Sequence, residues 1–313
     1  MKRSLVFPGF AVLLAAAWFV VPPWLGFLMT SAFAKSLVVL GVVLLMRTGL
    51  VSFGQALFYG GGAYASAYLV HTLAITDAAV HAGIGLVVGA ALAALVGVLV
   101  ARYREIFFAM LTLAFSMVFW ALVVQARDLT GGTQGLPIGR PTTMFGLPLG
   151  DNSAVALYLL ALALTVAAYY VSFRFAHAPL GFLDRAIRDN EIRVSYLGGS
   201  VRGAIFTTFV WAGAISGVGG SLAALNVAHI DPTVAVWTTS GEFVFVALIS
   251  GTGSVFAPLI GTIFFEVLRS YITSWYPELW QLTLGTVMLL IVLFLPGGLW
   301  SLGSRLVRRR AVR

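Results

Sequence analysis

The chain has 313 residues, of which 60% are hydrophobic and 10% charged, with a mean hydropathy of +0.99. Soluble domains are about half apolar and roughly a quarter charged, so this composition excludes a soluble domain. The net charge of +8 does not point to nucleic acid, because the arginines sit beside apolar stretches, where membrane orientation accounts for them. Without cysteine there are no disulfides or thiolate metal sites, and His71, His81, His177 and His229 are scattered without ligand spacing. No metal or cofactor is expected.

A hydrocarbon core of about 30 Å takes about 20 helical residues to cross. Apolar runs that approach this length fall at 5–25, 30–46, 53–72, 79–101, 106–126, 153–173, 203–225, 239–250, 255–273 and 279–297. They are rich in Leu, Ala, Val and Gly and lack two-residue alternation, which favours helices over a barrel. The expected fold is an all-α integral membrane protein. It has about ten transmembrane helices in one domain over 1–313, a periplasmic loop at about 127–152 and a basic cytoplasmic tail at 303–313.

Met1-Lys-Arg, an apolar run and Ser31-Ala-Phe-Ala34 together have the outline of a cleavable leader. The apolar stretch is long and interrupted by Pro22-Pro23, so a retained first span is expected. With ten crossings and the N-terminus inside, fifteen basic residues face the cytoplasm: Lys2, Arg3, Arg47, Arg102, Arg104, Arg174, Arg185, Arg188, Arg193, Arg202, Arg305, Arg308, Arg309, Arg310 and Arg313. Only Lys35, Arg127, Arg140 and Arg269 then lie outside or near the outer interface. Both termini are placed in the cytoplasm, in a bacterial inner membrane.

Two breaks look alike. The run 30–46 ends at Arg47-Thr-Gly49 before Ser52-Phe-Gly54 opens the next, and the short run 239–250 ends at Gly251-Thr-Gly-Ser254. Each half thus descends, meets a Gly/Ser turn and returns, a faint internal symmetry of the sort transporters show. Between Arg127 and Ser153, Leu129-Thr-Gly-Gly-Thr-Gln-Gly-Leu-Pro137 forces turns rather than a span. Gly60-Gly-Gly62, Gly213, Gly217, Gly219 and Gly220 read as close helix packing.

The segment from Pro179 to Gly199 carries five charges between Asp184 and Glu191. Leu180, Leu183, Ile187 and Val194 recur at helical intervals, while Asp184, Arg185, Arg188, Asp189 and Arg193 cover the remaining surface. Pro179 suits a helix start and Gly198-Gly199 a stop. A short amphipathic helix at about 180–197, charged with both signs, fits a groove in another protein better than lipid headgroups.

Gly181-Phe-Leu-Asp-Arg-Ala-Ile-Arg-Asp-Asn-Glu-Ile-Arg-Val-Ser-Tyr-Leu-Gly-Gly199 resembles the cytoplasmic motif of permease subunits of branched-chain amino acid ABC importers. Three further stretches agree in order: Thr48 to Tyr64, Leu111-Thr-Leu-Ala-Phe115 with Leu129-Thr-Gly-Gly132, and Leu248 to Gly261. The resemblance runs from about residue 36 to Leu302, and Leu-Thr-Gly-Gly points to the M-type permease.

The resemblance implies that Asp184 to Gly198 is the coupling helix that docks on a cytoplasmic ATPase. Asp184, Arg185, Ile187, Arg188 and Glu191 belong to that coupling surface, and Gly198 sets the turn back into the membrane. Arg193-Val194-Ser195 departs from the small alanines usual there. The implied partners are a homologous second permease, two ATPases and a periplasmic binding protein. Substrates of this family include branched-chain amino acids, urea, short amides and aromatic acids. Independently, neither Lys2 nor Lys35 has P-loop surroundings, so this chain is no ATPase and no enzyme is expected.

Polar residues inside spans are costly and often functional. Gln55 and Tyr59 share a helix face just after the first break and lead the candidates for the translocation path, followed by Thr112, Ser116 and Glu242. Ser216, Ser221 and Asn226 ordinarily serve packing. Glu266 has Arg269 three residues on as an expected partner; Glu242 has no local partner and is placed to meet a substrate ammonium or close an outer gate. Two other classes compete with the importer. An ion- or proton-coupled secondary carrier needs more carboxylates deep in the bundle, and an intramembrane lipid-modifying enzyme needs clustered Asp, His or Arg at one interface.

Overall fold

The computed structural model describes residues 22–301 apart from Pro296. Most of the first expected span, Lys2, Arg3 and the basic tail lie outside the described residues.

Among the described residues, ten helices of fourteen residues or more follow one another. These are α1 (Pro23–Met46), α2 (Gln55–Leu73), α3 (Ala78–Val100), α4 (Glu105–Gln125) and α5 (Ser153–Ala176), then α6 (Pro179–Tyr196), α7 (Val201–Val227), α8 (Trp237–Ser250), α9 (Ala257–Trp275) and α10 (Trp280–Phe294). Five of them, α1, α3, α4, α5 and α7, are long and apolar enough to cross a membrane. Local chemistry sets several boundaries. Pro23 occupies the first position of α1, Asp77 caps α3 by accepting from the N–H groups of Ala79 and Val80, and Ser200 caps α7 through Gly203.

α1 therefore starts well before residue 30, and the Ser31–Ala34 stretch is mid-helix. Lys35, expected near the outer interface, lies instead at the centre of α1, roughly 17 Å from either end at 1.5 Å per residue.

α1 and α7 are enclosed on nearly all sides, whereas α3, α4 and α5 keep an outward apolar face. The closest approaches run along α7. A methyl group on Gly217 would overlap the Gly85 carbonyl of α3, one on Gly220 the Tyr59 carbonyl of α2, and one on Gly219 the Ala34 carbonyl of α1. Apolar lipid gives helices no hydrophobic reason to associate, so backbone-to-backbone contact is what holds them. The glycine-packing expectation holds.

The helices alternate in direction between two ends. At one end gather Arg104 with Glu191, Arg202 on the Val98 carbonyl, and Arg188 over Gly49. At the other, the 127–152 loop sits on the α2–α3 turn: Pro137 C=O meets His71 Nε2 (2.8 Å), and Asp77 accepts from Gly146 N–H (2.7 Å). The turn-rich reading of this loop is right. Gly131, Gly132 and Gly135 all adopt positive φ, and this lets Leu136–Pro137 form a two-residue antiparallel pair with His229–Ile230.

Candidate functional site

Two stretches without α-helix enter the bundle from opposite ends, the second containing a short 3-10 turn at Pro232–Ala235. From the arginine-rich end, residues 47–54 turn at Gly49 (φ 85°), and the Phe53 N–H donates to Thr112 Oγ1 (3.1 Å). From the loop end, residues 228–236 turn at Ala228, and the carbonyl of Ala235 accepts from Ser116 Oγ (3.3 Å). Thr112 and Ser116 are neighbours one turn apart near the middle of α4. Both stretches therefore end deep in the bundle, where α2 and α8 begin.

The two helix starts touch. Ser240, in the first turn of α8, accepts from the Ala56 N–H of α2 (2.9 Å), and neither helix has a side-chain N-cap. Uncapped N-termini present free N–H groups and partial positive charge. Irregular backbone at this depth is tolerated only where protein buries it or where it lines a cavity. Polar ligands in membrane bundles are commonly held at such broken helices.

The sequence-derived path residues collect here. Gln55 is fully buried; its Oε1 accepts from Ser216 Oγ (2.8 Å), and its Nε2 has no partner among the described residues. Thr112 and Ser116 anchor the two incoming stretches. Tyr59 is buried, with its ring edge-on to Phe243 at 5.3 Å. Ser240 escaped sequence reasoning: a hydroxyl at the fourth position of a short helix carries no pattern of its own.

Phe243 leads to the fifth candidate. Lys35, Glu242, Phe243, Phe265 and Glu266 line a cavity of about 10 Å³, room for a single water at most. Lys35 Nζ meets Glu266 Oε1 at 2.7 Å, and Arg269 Nη1 meets Glu242 Oε2 at 3.1 Å. The expected pair within α9 is thus replaced by two pairs between helices, and Glu242 has a partner after all. Residues three apart on a helix share a face, but each finds an opposite charge on the neighbouring helix. Glu266 and Arg269 also floor an open cleft of about 390 Å³ walled by Trp24, Phe27, Leu28, Ser270 and Thr273.

At the arginine-rich end, α6 starts at Pro179 and stops in a Schellman turn: Gly199 N–H donates to Val194 C=O and Gly198 N–H to Ser195 C=O, with Gly198 at φ 81°. Asn190 (φ −165°, ψ 97°) breaks the helix and caps its second half by accepting from Arg193 N–H. Gly181, Asp184, Ile187 and Val194 face inward. Asp184, expected on the charged outer surface, is 4% exposed; Oδ2 accepts from Thr208 of α7 (2.9 Å) and Oδ1 has no partner among the described residues. Burial pushes its carboxyl up to about 6, against the opposing pull of the Thr208 hydrogen bond and the Arg47 charge.

Glu191 is held by Arg104 Nε at 2.7 Å. Arg185 donates to the carbonyls of Gly181 and Ala176 and lies 4.6 Å over the Phe182 ring. Arg188 packs its stem on Gly49 and makes no ion pair among the described residues. Phe182, Ile192, Tyr196 and Leu197 project outward beside it, the last two more than four-fifths exposed.

Among the described residues no group of three or more His, Cys, Asp or Glu side chains is arranged to hold a metal ion. No solved structure matches the chain. Two relatives are similar to it: the high-affinity branched-chain amino acid transport system permease proteins LivM of Escherichia coli (strain K12) and of Salmonella typhimurium (strain LT2). Each is 29% identical over 273 residues, which is 80% of this chain and 64% of the relative, so the chain spans less than two thirds of their length. The family model described as the permease component of branched-chain amino acid transport systems matches residues 25–293. A bundle with two broken helices at its centre and an anchored amphipathic helix at its charged end is thus a multi-pass membrane permease, and the chain belongs to this permease family.

Proposed function

We propose that the chain is the transmembrane permease subunit of an ATP-binding-cassette importer and forms half of a path for branched-chain amino acids or related small polar solutes. A homologous second permease completes the path, a periplasmic binding protein delivers the solute, and two cytoplasmic ATPases drive the cycle. The arginine-rich end faces the cytoplasm. The first apolar run, α1, α2, α3, α4, α5, α7, α8, α9 and α10 make ten crossings, α2 and α8 each completed by the stretch that leads into it.

The observation that carries this reading is α6. Asp184, Ile187 and Val194 fasten it to the bundle, while Phe182, Arg188, Ile192, Tyr196 and Leu197 stand exposed outside the apolar zone. An apolar and basic face beyond the membrane, rigidly joined to α7 and lying against the 47–54 stretch, is suited to pass motion from a partner to the helix starts. ATP-driven movement of α6 shifts the population between inward- and outward-open states. Arg185, Arg188 and Glu191 are the contact residues, Asp184 and Ile187 the anchors, and Gly198 the turn. Gln55, Tyr59, Thr112, Ser116 and Glu242 line the path.

The chain has no cysteine, so Arg188→Cys supplies a unique thiol. Bifunctional cross-linking in the assembled transporter is expected to join it to an ATPase. Labelling of that thiol from the periplasmic side, with no ATPase adduct, overturns the reading.

A further inference from the structure

We propose that the four charges shared by α1, α8 and α9 form a recognition site for the main-chain zwitterion of an α-amino acid. Arg269 takes the ligand carboxylate and Glu242 its ammonium, each giving up the other, while the Lys35–Glu266 pair holds the floor. The inference rests on the permease reading and names how that permease recognises its cargo.

Four ionised groups inside an apolar bundle are expensive, and hydrophobic residues of similar volume would pack there at lower cost. They balance to zero, two of each sign, on three helices. The two pairs are not equivalent. Lys35–Glu266 is short, 2.7 Å, with side chains 23% and 8% exposed; Arg269–Glu242 is longer, 3.1 Å, with side chains 36% and 28% exposed. Arg269 of the looser pair and Glu266 of the tighter one line the open cleft, and Glu242 adjoins it through its contact with Arg269. Arg269 is also held independently of Glu242, since its guanidinium lies 5.3 Å over the Trp280 ring. It keeps its orientation when Glu242 lets go, and its planar fork suits a carboxylate in two-point contact.

Exchange explains why pairs rather than single charges are used. A zwitterion brings one charge for each partner it displaces, so no buried charge is stranded during binding or release. A ligand with a carboxylate alone, or an ammonium alone, leaves Glu242 or Arg269 without a counter-ion and is rejected. The cleft of about 390 Å³ admits a free amino acid, and Trp24, Phe27 and Leu28 offer apolar walls for its side chain.

The test uses the full chain in lipid nanodiscs and follows thermal unfolding with L-leucine, L-leucinamide or isocaproate, the last two carrying one charge each. Leucine is expected to raise the midpoint and neither analogue to do so. The double variant Glu242→Gln/Arg269→Gln strands no charge and is expected to fold and lose the leucine response. Arg269→Lys, which keeps the charge and loses the fork, is expected to bind leucine about tenfold more weakly. Equal shifts with the single-charge analogues, no shift with leucine, or a leucine response that survives in the double variant each overturn the site. ATP-driven uptake by the assembled wild-type importer separates the two readings: uptake together with any of those results removes the site and leaves the importer, whereas no uptake removes the importer.

Discussion

The Ser240 hydroxyl accepts a 2.9 Å hydrogen bond from the Ala56 backbone N–H, joining the first turns of two helices that both begin inside the bundle. One short bond ties together stretches that enter from opposite ends. It also satisfies a donor that α2, capped only by Gly54, leaves free.

Ser240→Ala is expected to leave that N–H unpaired in an apolar interior and to lower stability by about 1–3 kcal/mol. Ser240→Cys, a weaker acceptor of similar size, falls between the two. Thermal unfolding of the purified chain checks the order, and equal midpoints for all three proteins would contradict it.

Gly217→Ala places a methyl against the Gly85 carbonyl and the Gly89 Cα of α3, backbone atoms with no side-chain freedom to yield. The expected cost is about 3 kcal/mol or more, seen as loss of folded protein in the membrane. Gly83→Ala, on the same α3 but with open space around it, is expected to be neutral or stabilising by up to about 1 kcal/mol. Expression and melting of the two variants side by side make the comparison.

Lys35→Met alone strands the nearly buried Glu266 carboxylate and is expected to destabilise by about 3–5 kcal/mol, whereas Lys35→Met/Glu266→Gln recovers most of the loss. A double-mutant cycle measures the coupling. Additive losses would mean that the pair does not interact.

Asp184 makes stability depend on pH in a definite direction. Its carboxyl lies at about 6 in the folded chain against an ordinary 3.8, because burial disfavours the charge. The folded state therefore holds the proton more tightly. The stabilisation is complete below the ordinary value and is lost as pH rises through about 6, on the order of 3 kcal/mol in all. Asp184→Asn still accepts from Thr208 and is expected to remove this slope and to be the more stable protein at neutral pH. Denaturation across about pH 4 to 7 reads it; a wild-type curve that rises with pH contradicts it.

Some of this was legible before any fold was known. Gly49 and Gly251 both take φ 85°, matching the pair of breaks read from Gly/Ser clusters, because a positive φ is a property of one residue. Pro179 and Gly198 bound α6 for the same local reason. The inward turn of Asp184 is also written in the sequence: it lies three residues from both Gly181 and Ile187, on the apolar stripe. The Lys35–Glu266 pair was not available. Its members are 231 positions apart, and nothing near either marks the other.

By itself, then, the amino-acid order determined a helical membrane protein, its broken spans, its amphipathic helix and its family, because run length, turn chemistry and short motifs are written in neighbouring residues. Only the tertiary structure decided that two uncapped helix starts meet at Ala56 and Ser240 and that four charges from three helices form two ion pairs. Those relationships depend on which helices adjoin and how each is rotated about its axis, and that is fixed by the glycine contacts along α7 acting together rather than by any one segment.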